Sequence, residues 1–172
     1  MDRPLSRSKG VKEFEELYRA SRDDVYAYVA TMLRDRFAAE DVTALAFERA
    51  YRKRGSFRPG RGSPRAWLFG IARNAALDEL RRRGRTAPVD GEPADEDAVS
   101  FEDEAEIGAR RVAVRAGLQS LQPRERELVA LKFFAGLSNT ELAAVLGTSE
   151  TNAGTRVHRA IHKLREACHE TA

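Results

Sequence analysis

The chain has 172 residues, and its 42% hydrophobic content is enough to form one ordinary domain or two small ones. A single cysteine excludes an internal disulfide, and no apolar run approaches the length that a membrane crossing needs. The N-terminal residues lack the apolar core of a signal peptide. We therefore predict a cytoplasmic protein with no membrane insertion.

The net charge of +3 conceals an uneven distribution. Nine of the 27 acidic residues lie between Thr86 and Ala109, where there is no lysine or arginine, and all 30 basic residues lie outside this segment. Basic segments on both sides of an acidic connector indicate a polyanionic partner. The alternative is that the charge run is simply solvated surface.

The first part of the chain predicts two amphipathic helices. Apolar residues recur at a period close to 3.6 from Phe14 to Leu33 and again from Ala38 to Lys53. On the second helix Val42, Ala46 and Phe47 cluster on one side. The opposite, outer side holds Asp41, Ala44, Leu45, Glu48 and Arg49. An apolar Leu45 among charges is a weak indication of a partner surface.

A loop follows from Gly55 to Pro64, because three glycines and two prolines stand in ten residues. Its Phe57, Arg58 and Arg61 could stack on an unpaired base and neutralise phosphate. Phe57 packed into the core is an equally favoured alternative. A helix from Arg65 to Arg83 comes next, with Trp67 on its apolar side.

The stretch from Leu137 to Leu164 is typical of a helix-turn-helix that reads the DNA major groove. Gly147 is expected to end the first helix with a positive φ, and Ser149 to cap the second. One side of the second helix is apolar, and its other side holds Glu150, Asn152, Thr155, Arg156, Arg159 and Lys163. Two helices around a glycine also occur in bundles that bind no DNA, so that alternative stays open.

The pattern predicts an all-α fold of two small helical domains joined by an acidic flexible linker, which leaves the domains mobile. The second domain is a helix-turn-helix of winged-helix-like four-helix type. We expect the domains at residues 10–85 and 110–170, with the linker at 86–109. No Gly-rich phosphate loop or nucleophile motif appears, and His158, His162, Cys168 and His169 lack a second ligand cluster. We therefore predict no enzyme, no metal site and no cofactor.

Four segments in this order resemble the extracytoplasmic-function (ECF) group of bacterial sigma-70-family sigma factors. They read AEDVTALAFERAY, SFRPGRGSPRAWLFGIARNAALDELRRR, LQPRERELVALKFFAGLSNTELAAVLGTS and TRVHRAIHKLRE. The resemblance implies a specificity subunit that binds bacterial core RNA polymerase and promoter DNA, with an anti-sigma factor as a further expected partner.

The resemblance also implies which residues act. Residues expected at the minus-ten element are Phe57, Arg58, Arg61, Ser63, Arg65, Arg73 and Asn74, with Asn74 closing a base pocket around Phe57. Residues expected at the minus-thirty-five element are Glu150, Asn152, Thr155, Arg156, His158, Arg159 and Lys163. The surface for core polymerase would comprise Asp41, Ala44, Leu45, Glu48 and Arg49.

Two departures from the family pattern qualify these expectations. Ala44 and Leu45 stand where relatives usually have a glutamine and an acid, which would alter the polymerase contact. Gly154 stands where relatives have a basic residue, so Asn152, Thr155 and Arg159 must contribute more of the recognition. Alternatives are a stand-alone helix-turn-helix regulator, or a sigma-like adaptor with weakened core or DNA binding.

Overall fold

The computed structural model of the chain describes residues 4–86 and 105–170. These ranges contain seven α-helices and no β-strand, and two short 3-10 turns at Arg54–Ser56 and Pro59–Arg61 separate α2 from α3. The helices are α1 (Pro4–Leu33), α2 (Arg36–Lys53), α3 (Pro64–Thr86), α4 (Ala105–Ser120), α5 (Pro123–Phe133), α6 (Asn139–Leu146) and α7 (Glu150–Glu170). The all-α fold is confirmed, and most of the predicted linker, residues 87–104, lies outside the described residues.

Helices α1, α2 and α3 pack on one another and form what we call the first bundle. Small residues at Ala39, Ala46 and Ala50 are buried along α2 and allow close helix contact. The short connection between α1 and α2 is fixed locally, since Asp35 caps α2 by accepting a hydrogen bond from the Ala38 amide at 3.1 Å. The bundle core is filled by Val25, Tyr28, Val29, Phe47, Leu68 and Phe69.

Helices α4 to α7 form the second bundle, in which α7 packs against α4, α5 and α6. Ser138 begins α6, because its hydroxyl accepts from the Glu141 amide while the Glu141 carboxylate accepts from the Ser138 amide. Gly147 ends α6 with a φ of 65°, and the Ser149 hydroxyl accepts from the Asn152 amide at the start of α7. The predicted helix-turn-helix and its turn residues are confirmed.

Several boundaries differ from those predicted. Helix α1 begins at Pro4 rather than Phe14, and α4 begins at Ala105, five residues before position 110. No strand occurs in either described range, so the wing implied by a winged-helix-like module is not seen there. None of the helices in these ranges combines the length and the apolar character that crossing a membrane requires.

The two bundles pack against each other, with α1 against α5 and α3 against α6. This differs from the expectation of two mobile domains. Mobility was expected because a long connector allows the two domains to move apart. A long connector does not, however, prevent contacts that form between the bundles themselves.

Candidate nucleic-acid interface

A cavity of about 1250 Å³ opens beside the loop that joins α2 to α3. Its lining includes Phe57, Trp67 and Ser63, together with residues of α1 such as Phe14 and Leu17. Phe57 and Trp67 are both half-buried, and their ring centroids are 5.6 Å apart at an interplanar angle of 58°. Each ring is therefore supported on one side and available from the cavity, a geometry suited to stacking on a base.

Two predicted cations lie on the same loop. Arg58 and Arg61 are exposed, and neither takes part in an ion pair within the described part of the chain. The backbone around them is ordered into a turn, since the Arg61 amide donates to the Arg58 carbonyl at 3.0 Å. The loop therefore presents two positive charges to solvent close to an aromatic cavity.

Asn74 does not line this cavity, contrary to the expectation that it closes a pocket around Phe57. It is exposed on α3, seven residues after Trp67. Seven residues of α-helix advance roughly 10 Å along the axis, which carries the amide beyond the cavity.

The other predicted minus-ten residues contact the second bundle. Arg65 donates from Nη2 to Asp24 Oδ2 at 2.6 Å within the first bundle. It also donates to the Ala135 carbonyl at 2.6 Å and the Phe134 carbonyl at 2.7 Å. These two carbonyls follow the C-terminus of α5, where backbone acceptors have no helical partner.

Arg73 forms an ion pair with Glu127 of α5, with Nε and Oε1 2.5 Å apart. The Glu127 side chain is only 8% exposed, and the Tyr28 hydroxyl lies 3.4 Å from the same oxygen. Burial, followed by the neighbouring negative charge of Glu127, raises the pKa of Tyr28 well above its ordinary value. The phenol is therefore held in its neutral, hydrogen-donating form.

Ser63 donates to Glu141 of α6, with Oγ and Oε1 2.5 Å apart. This hydrogen bond, followed by the one from the Ser138 amide, lowers the pKa of Glu141. Glu141 is thus held ionised between the start of α6 and the end of the loop before α3. Three predicted minus-ten residues are consequently engaged by the second bundle.

The predicted minus-thirty-five residues lie along one side of α7. Glu150, Asn152, Thr155, His158, Arg159 and Lys163 are exposed, and Arg156 is half-buried. The opposite side buries Ala153, Val157 and Ala160. Lys163 is paired with Glu125 at the start of α5, and this contact lowers the pKa of the Glu125 carboxyl. The rest of the surface is open to a duplex.

A second basic cavity, of about 650 Å³, lies between α7 and the start of α5. Arg124 lines it together with Arg156 and Arg159. Arg124 was not among the predicted residues, because it lies in a different helix and only the packing of α5 on α7 brings the three cations together. Its position in the first turn of α5 is consistent with a phosphate contact.

The outer side of α2 has the predicted composition. Asp41, Ala44, Leu45 and Glu48 are exposed, whereas Arg49 is half-buried and donates to Asp78 of α3 at 3.1 Å. Phe37 was not among the predicted residues, and its side chain is 77% exposed. It precedes Asp41 and Ala44 by four and seven residues, so it lies on the same side of the helix.

No group of three or more His, Cys, Asp or Glu side chains in residues 4–86 and 105–170 is arranged to hold a metal ion. Of the four metal candidates, Cys168 instead donates to the Ala113 carbonyl with Sγ and O 3.6 Å apart. His162 pairs with Glu166 on the surface of α7.

A helix-turn-helix with a polar-basic exposed side in one bundle and an aromatic cavity beside two exposed arginines in the other are features typical of a helical DNA-binding protein. The family profile described as Sigma-70 region 2 matches residues 17–86, and the profile described as Sigma-70, region 4 matches residues 111–164. The two matches coincide with the first and second bundles.

Similar proteins agree with this assignment. The RNA polymerase sigma factor CarQ of Myxococcus xanthus is 37% identical over 158 residues, covering 89% of this chain and 87% of CarQ. The ECF sigma factor SigE of Mycolicibacterium smegmatis is 34% identical over 161 residues, covering 89% of this chain and 60% of SigE. The chain belongs to the ECF group of sigma-70-family RNA polymerase sigma factors, which direct promoter-specific transcription initiation.

Two solved structures share the fold. CnrH, solved in complex with the cytosolic domain of CnrY, has a TM-score of 0.66 at 25% identity and covers 94% of this chain and 90% of its own. RpoE of Bartonella quintana, solved with the anti-sigma factor NepR, has a TM-score of 0.68 at 25% identity and covers 91% and 96%.

Proposed function

We propose that the two bundles act as the two promoter-binding domains of this sigma factor, at residues 10–85 and 110–170. The observation that supports this most directly is the pairing of an aromatic cavity beside free arginines with an exposed polar-basic helix on a separate bundle. Sigma factors are non-enzymatic regulators, and we propose no catalytic site or cofactor for this chain. Its place of action would be the cytoplasm.

The first bundle would bind the minus-ten element. Extracting one base costs a few kcal/mol of stacking and pairing, so a preformed aromatic surface and nearby phosphate contacts must offset it. Phe57 and Trp67 provide the aromatic surface, and Arg58 and Arg61 are placed for the phosphates. Arg65, Arg73 and Ser63 would add contacts once they are released from the second bundle, and Asn74 would contact DNA further along α3.

The second bundle would read the minus-thirty-five duplex with α7 in the major groove. Asn152, Thr155, His158 and Arg159 are exposed and can reach base edges, and Glu150 can accept from a cytosine amino group. Arg156 and Lys163 would contact phosphates, with Arg124 added from α5. Phosphate contacts of this kind set affinity and salt dependence, whereas the base contacts select the sequence.

The outer side of α2 would bind core polymerase through Asp41, Ala44, Leu45, Glu48 and Arg49, extended by Phe37. Loss of the polar pair usual at positions 44 and 45 leaves an apolar contact there, and the exposed ring of Phe37 enlarges that apolar area. An anti-sigma factor is a further proposed partner, because CnrH and RpoE were solved in complex with CnrY and NepR.

The test is reconstitution of the full chain with bacterial core polymerase, followed by selection of bound promoters from a genomic DNA library. The proposal predicts a stable holoenzyme and initiation at promoters that share minus-ten and minus-thirty-five elements. A stand-alone regulator would instead select a palindromic site without polymerase. The proposed function would be refuted if the chain formed no holoenzyme and supported no promoter-dependent initiation.

A further inference from the structure

The aromatic cavity has a wall that the proposed function does not use, formed by the N-terminal half of α1. The α1 residues that line it recur at intervals of three or four along one side of the helix, and they are Gly10, Glu13, Phe14, Glu16, Leu17 and Ala20. The same cavity is lined by the rings of Phe57 and Trp67. Two carboxylates of α1 therefore share a cavity with the rings proposed to stack on a base.

Contacts at both ends of this wall fix its place in the first bundle. At one end Phe14 packs edge-on against Tyr51 of α2, with ring centroids 5.2 Å apart. At the other end Arg65, near the start of α3, donates from Nη1 to the Ser21 hydroxyl at 3.3 Å. Glu16 stands between these two contacts, so it lies on the part of α1 that borders the connection between α2 and α3.

The carboxylate of Glu16 is available to a ligand. Its side chain is exposed, and it makes no ion pair or hydrogen bond within the part of the chain that the structure describes. Two basic residues of the same cavity are engaged elsewhere. Arg52 pairs with Glu48 at 2.5 Å, and the Arg54 guanidinium lies 3.9 Å from the centroid of the Tyr51 ring. A group that enters the cavity therefore meets a carboxylate that these cations do not neutralise.

A carboxylate in a DNA-binding cavity determines which part of the strand enters it. Arg58 and Arg61 place positive charge on the loop, where phosphates are attracted, whereas Glu16 places negative charge on the α1 wall, where phosphates are repelled. A strand that stacks one base on Phe57 and Trp67 is therefore oriented with its backbone toward the loop and the edge of that base toward α1.

We infer that Glu16 is a specificity-determining residue of this cavity and accepts a hydrogen bond from the amino group of the captured base. The inference rests on the proposed role of the cavity at the minus-ten element, and it adds the class of base. Adenine, cytosine and guanine each carry an exocyclic amino group, whereas thymine carries carbonyl oxygens at the corresponding positions. The cavity accepts an amino-bearing base and disfavours thymine.

The discrimination follows from the cost of leaving a charged acceptor without a donor. Glu16 is hydrated in the free protein, and an amino group replaces that water with a charge-assisted hydrogen bond. Thymine removes the same water and sets a carbonyl oxygen against the carboxylate, which leaves both acceptors unpaired. Hydrogen bonds to this edge are the usual means by which proteins read a base that has left the stack.

The test uses holoenzyme reconstituted from the full chain and a promoter selected as described above, with each strand of the minus-ten element left single-stranded in turn. The captured base is located first, as the position at which an abasic site weakens binding by the parent protein but not by Phe57→Ala. At that position the four natural bases are compared with analogues that lack only the amino group. These analogues are purine for adenine, pyrimidin-2-one for cytosine and hypoxanthine for guanine, and fluorescence anisotropy measures each affinity.

We expect the parent holoenzyme to bind its best amino-bearing base about tenfold more tightly than the matching analogue or thymine. Glu16→Ala should remove most of the difference between that base and its analogue. Glu16→Gln keeps the side-chain length and adds an amide donor that can bond to a thymine carbonyl, so this variant should bind thymine nearly as well as the amino-bearing base.

The matched control is Glu15→Gln, which removes the same charge from a neighbouring position of α1 that does not line the cavity. It should keep the parent preference, so a general effect of charge on DNA affinity is separated from contact with the base. Urea unfolding of each variant checks that these exposed substitutions leave the fold intact.

An undiminished effect of amino-group removal in Glu16→Ala would overturn the inference, as would an equal loss of preference in Glu15→Gln. Either result with normal holoenzyme formation and initiation would remove only the role of Glu16. Absence of any position that depends on Phe57 would overturn the proposed base cavity together with this inference. A parent chain that formed no holoenzyme would instead remove the proposed function.

Discussion

Gly154 of α7 lies directly against Asn139 of α6, because a Cβ atom at position 154 would stand 3.1 Å from Asn139 Nδ2. The glycine is half-buried at this helix crossing rather than fully exposed beside Asn152 and Thr155. The expectation that Gly154 merely deletes a basic DNA contact is therefore incomplete. The residue also leaves room for the Asn139 side chain where α7 crosses α6.

Substitution of Gly154 by alanine should stabilise the protein by up to about 1 kcal/mol, the difference in helix propensity between the two residues. Within the described residues, the close neighbour is the end of an exposed, flexible asparagine side chain, which can move by a few tenths of an ångström. Urea unfolding followed by circular dichroism measures the change.

Gly117→Ala is the matched comparison, and we expect it to destabilise the protein rather than stabilise it. A Cβ atom there would stand 2.9 Å from Leu164 Cδ1 and 3.0 Å from Cys168 Sγ, between α4 and α7. Overpacking of this kind typically costs about 1 to 3 kcal/mol. Equal stabilities of the two variants would contradict the assigned packing.

The stability of the folded protein at acidic pH should depend on Glu79, which lies two turns before the end of α3. Hydrogen bonds from Arg82 and then Arg83 lower the pKa of Glu79 from 4.5 to about 2. Its folded pKa is below its unfolded value, so the contribution to stability is present above pH 4.5 and is lost as the pH falls towards 2. Asp35, which caps α2 and binds Arg83, has a pKa lowered in the same direction, first by the Ala38 amide.

Glu79→Gln should therefore lower the unfolding midpoint at pH 7 and flatten its decline between pH 4.5 and about 2. Thermal unfolding of the full chain at several pH values measures both effects. Glu166→Gln, at an exposed site on α7, is the control and should keep the parent profile. Parallel profiles for the parent and Glu79→Gln would contradict the assigned contribution.

The sequence was most informative where structure depends on residues within one helical turn. Gly147 has the expected positive φ and Ser149 the expected capping bond, because both follow from local backbone chemistry. Phe37 was missed for a related reason. The predicted helix began at Ala38, two residues after the actual start at Arg36, so the Phe37 ring was not assigned to the outer side of α2.

The contacts between the bundles could not be predicted in the same way. Arg73 and Glu127 are 54 residues apart, and neither local spacing nor amphipathic periodicity indicates that they meet. One feature of the sequence indicated that Glu127 needs a partner, because this carboxylate stands at the start of the buried run from Leu128 to Leu131. A buried acid requires a partner, but the rule does not identify which of 30 basic residues supplies it.

Asn152 and Arg124 should contribute to promoter recognition in different ways. Asn152→Ala should relax the preference at one base of the minus-thirty-five element by about 1 to 3 kcal/mol and leave other sequences nearly unaffected. Arg124→Ala should weaken every duplex and reduce the slope of log affinity against log salt by about 1. Titration of holoenzyme with matched and substituted promoters at several salt concentrations distinguishes the two.

Arg165→Ala is the control for this pair, because Arg165 is exposed on α7 but is not among the residues assigned to DNA. It should leave both the base preference and the salt slope near parent values. A loss of base preference in Arg124→Ala equal to that in Asn152→Ala would contradict the division between phosphate and base contacts.

Binding to core polymerase should depend on Leu45 but not on Leu80. Both leucines are 36% exposed, and they lie on α2 and α3 respectively, so they form a matched pair. Leu45→Ser should weaken holoenzyme formation by roughly tenfold, or about 1.4 kcal/mol, as expected when a leucine loses its burial in an interface. Phe37→Ser should have a similar or larger effect, since its ring offers more apolar area.

Fluorescence anisotropy of labelled protein titrated with core polymerase measures these affinities, and urea unfolding checks that the variants remain folded. Because Leu45 and Leu80 have the same exposed fraction, their serine variants should have similar stabilities, and only Leu45→Ser should lose affinity. Equal loss of affinity in both would place the polymerase contact elsewhere. Full affinity in Phe37→Ser and Leu45→Ser would mean that the charged residues of α2 bind polymerase without the apolar pair.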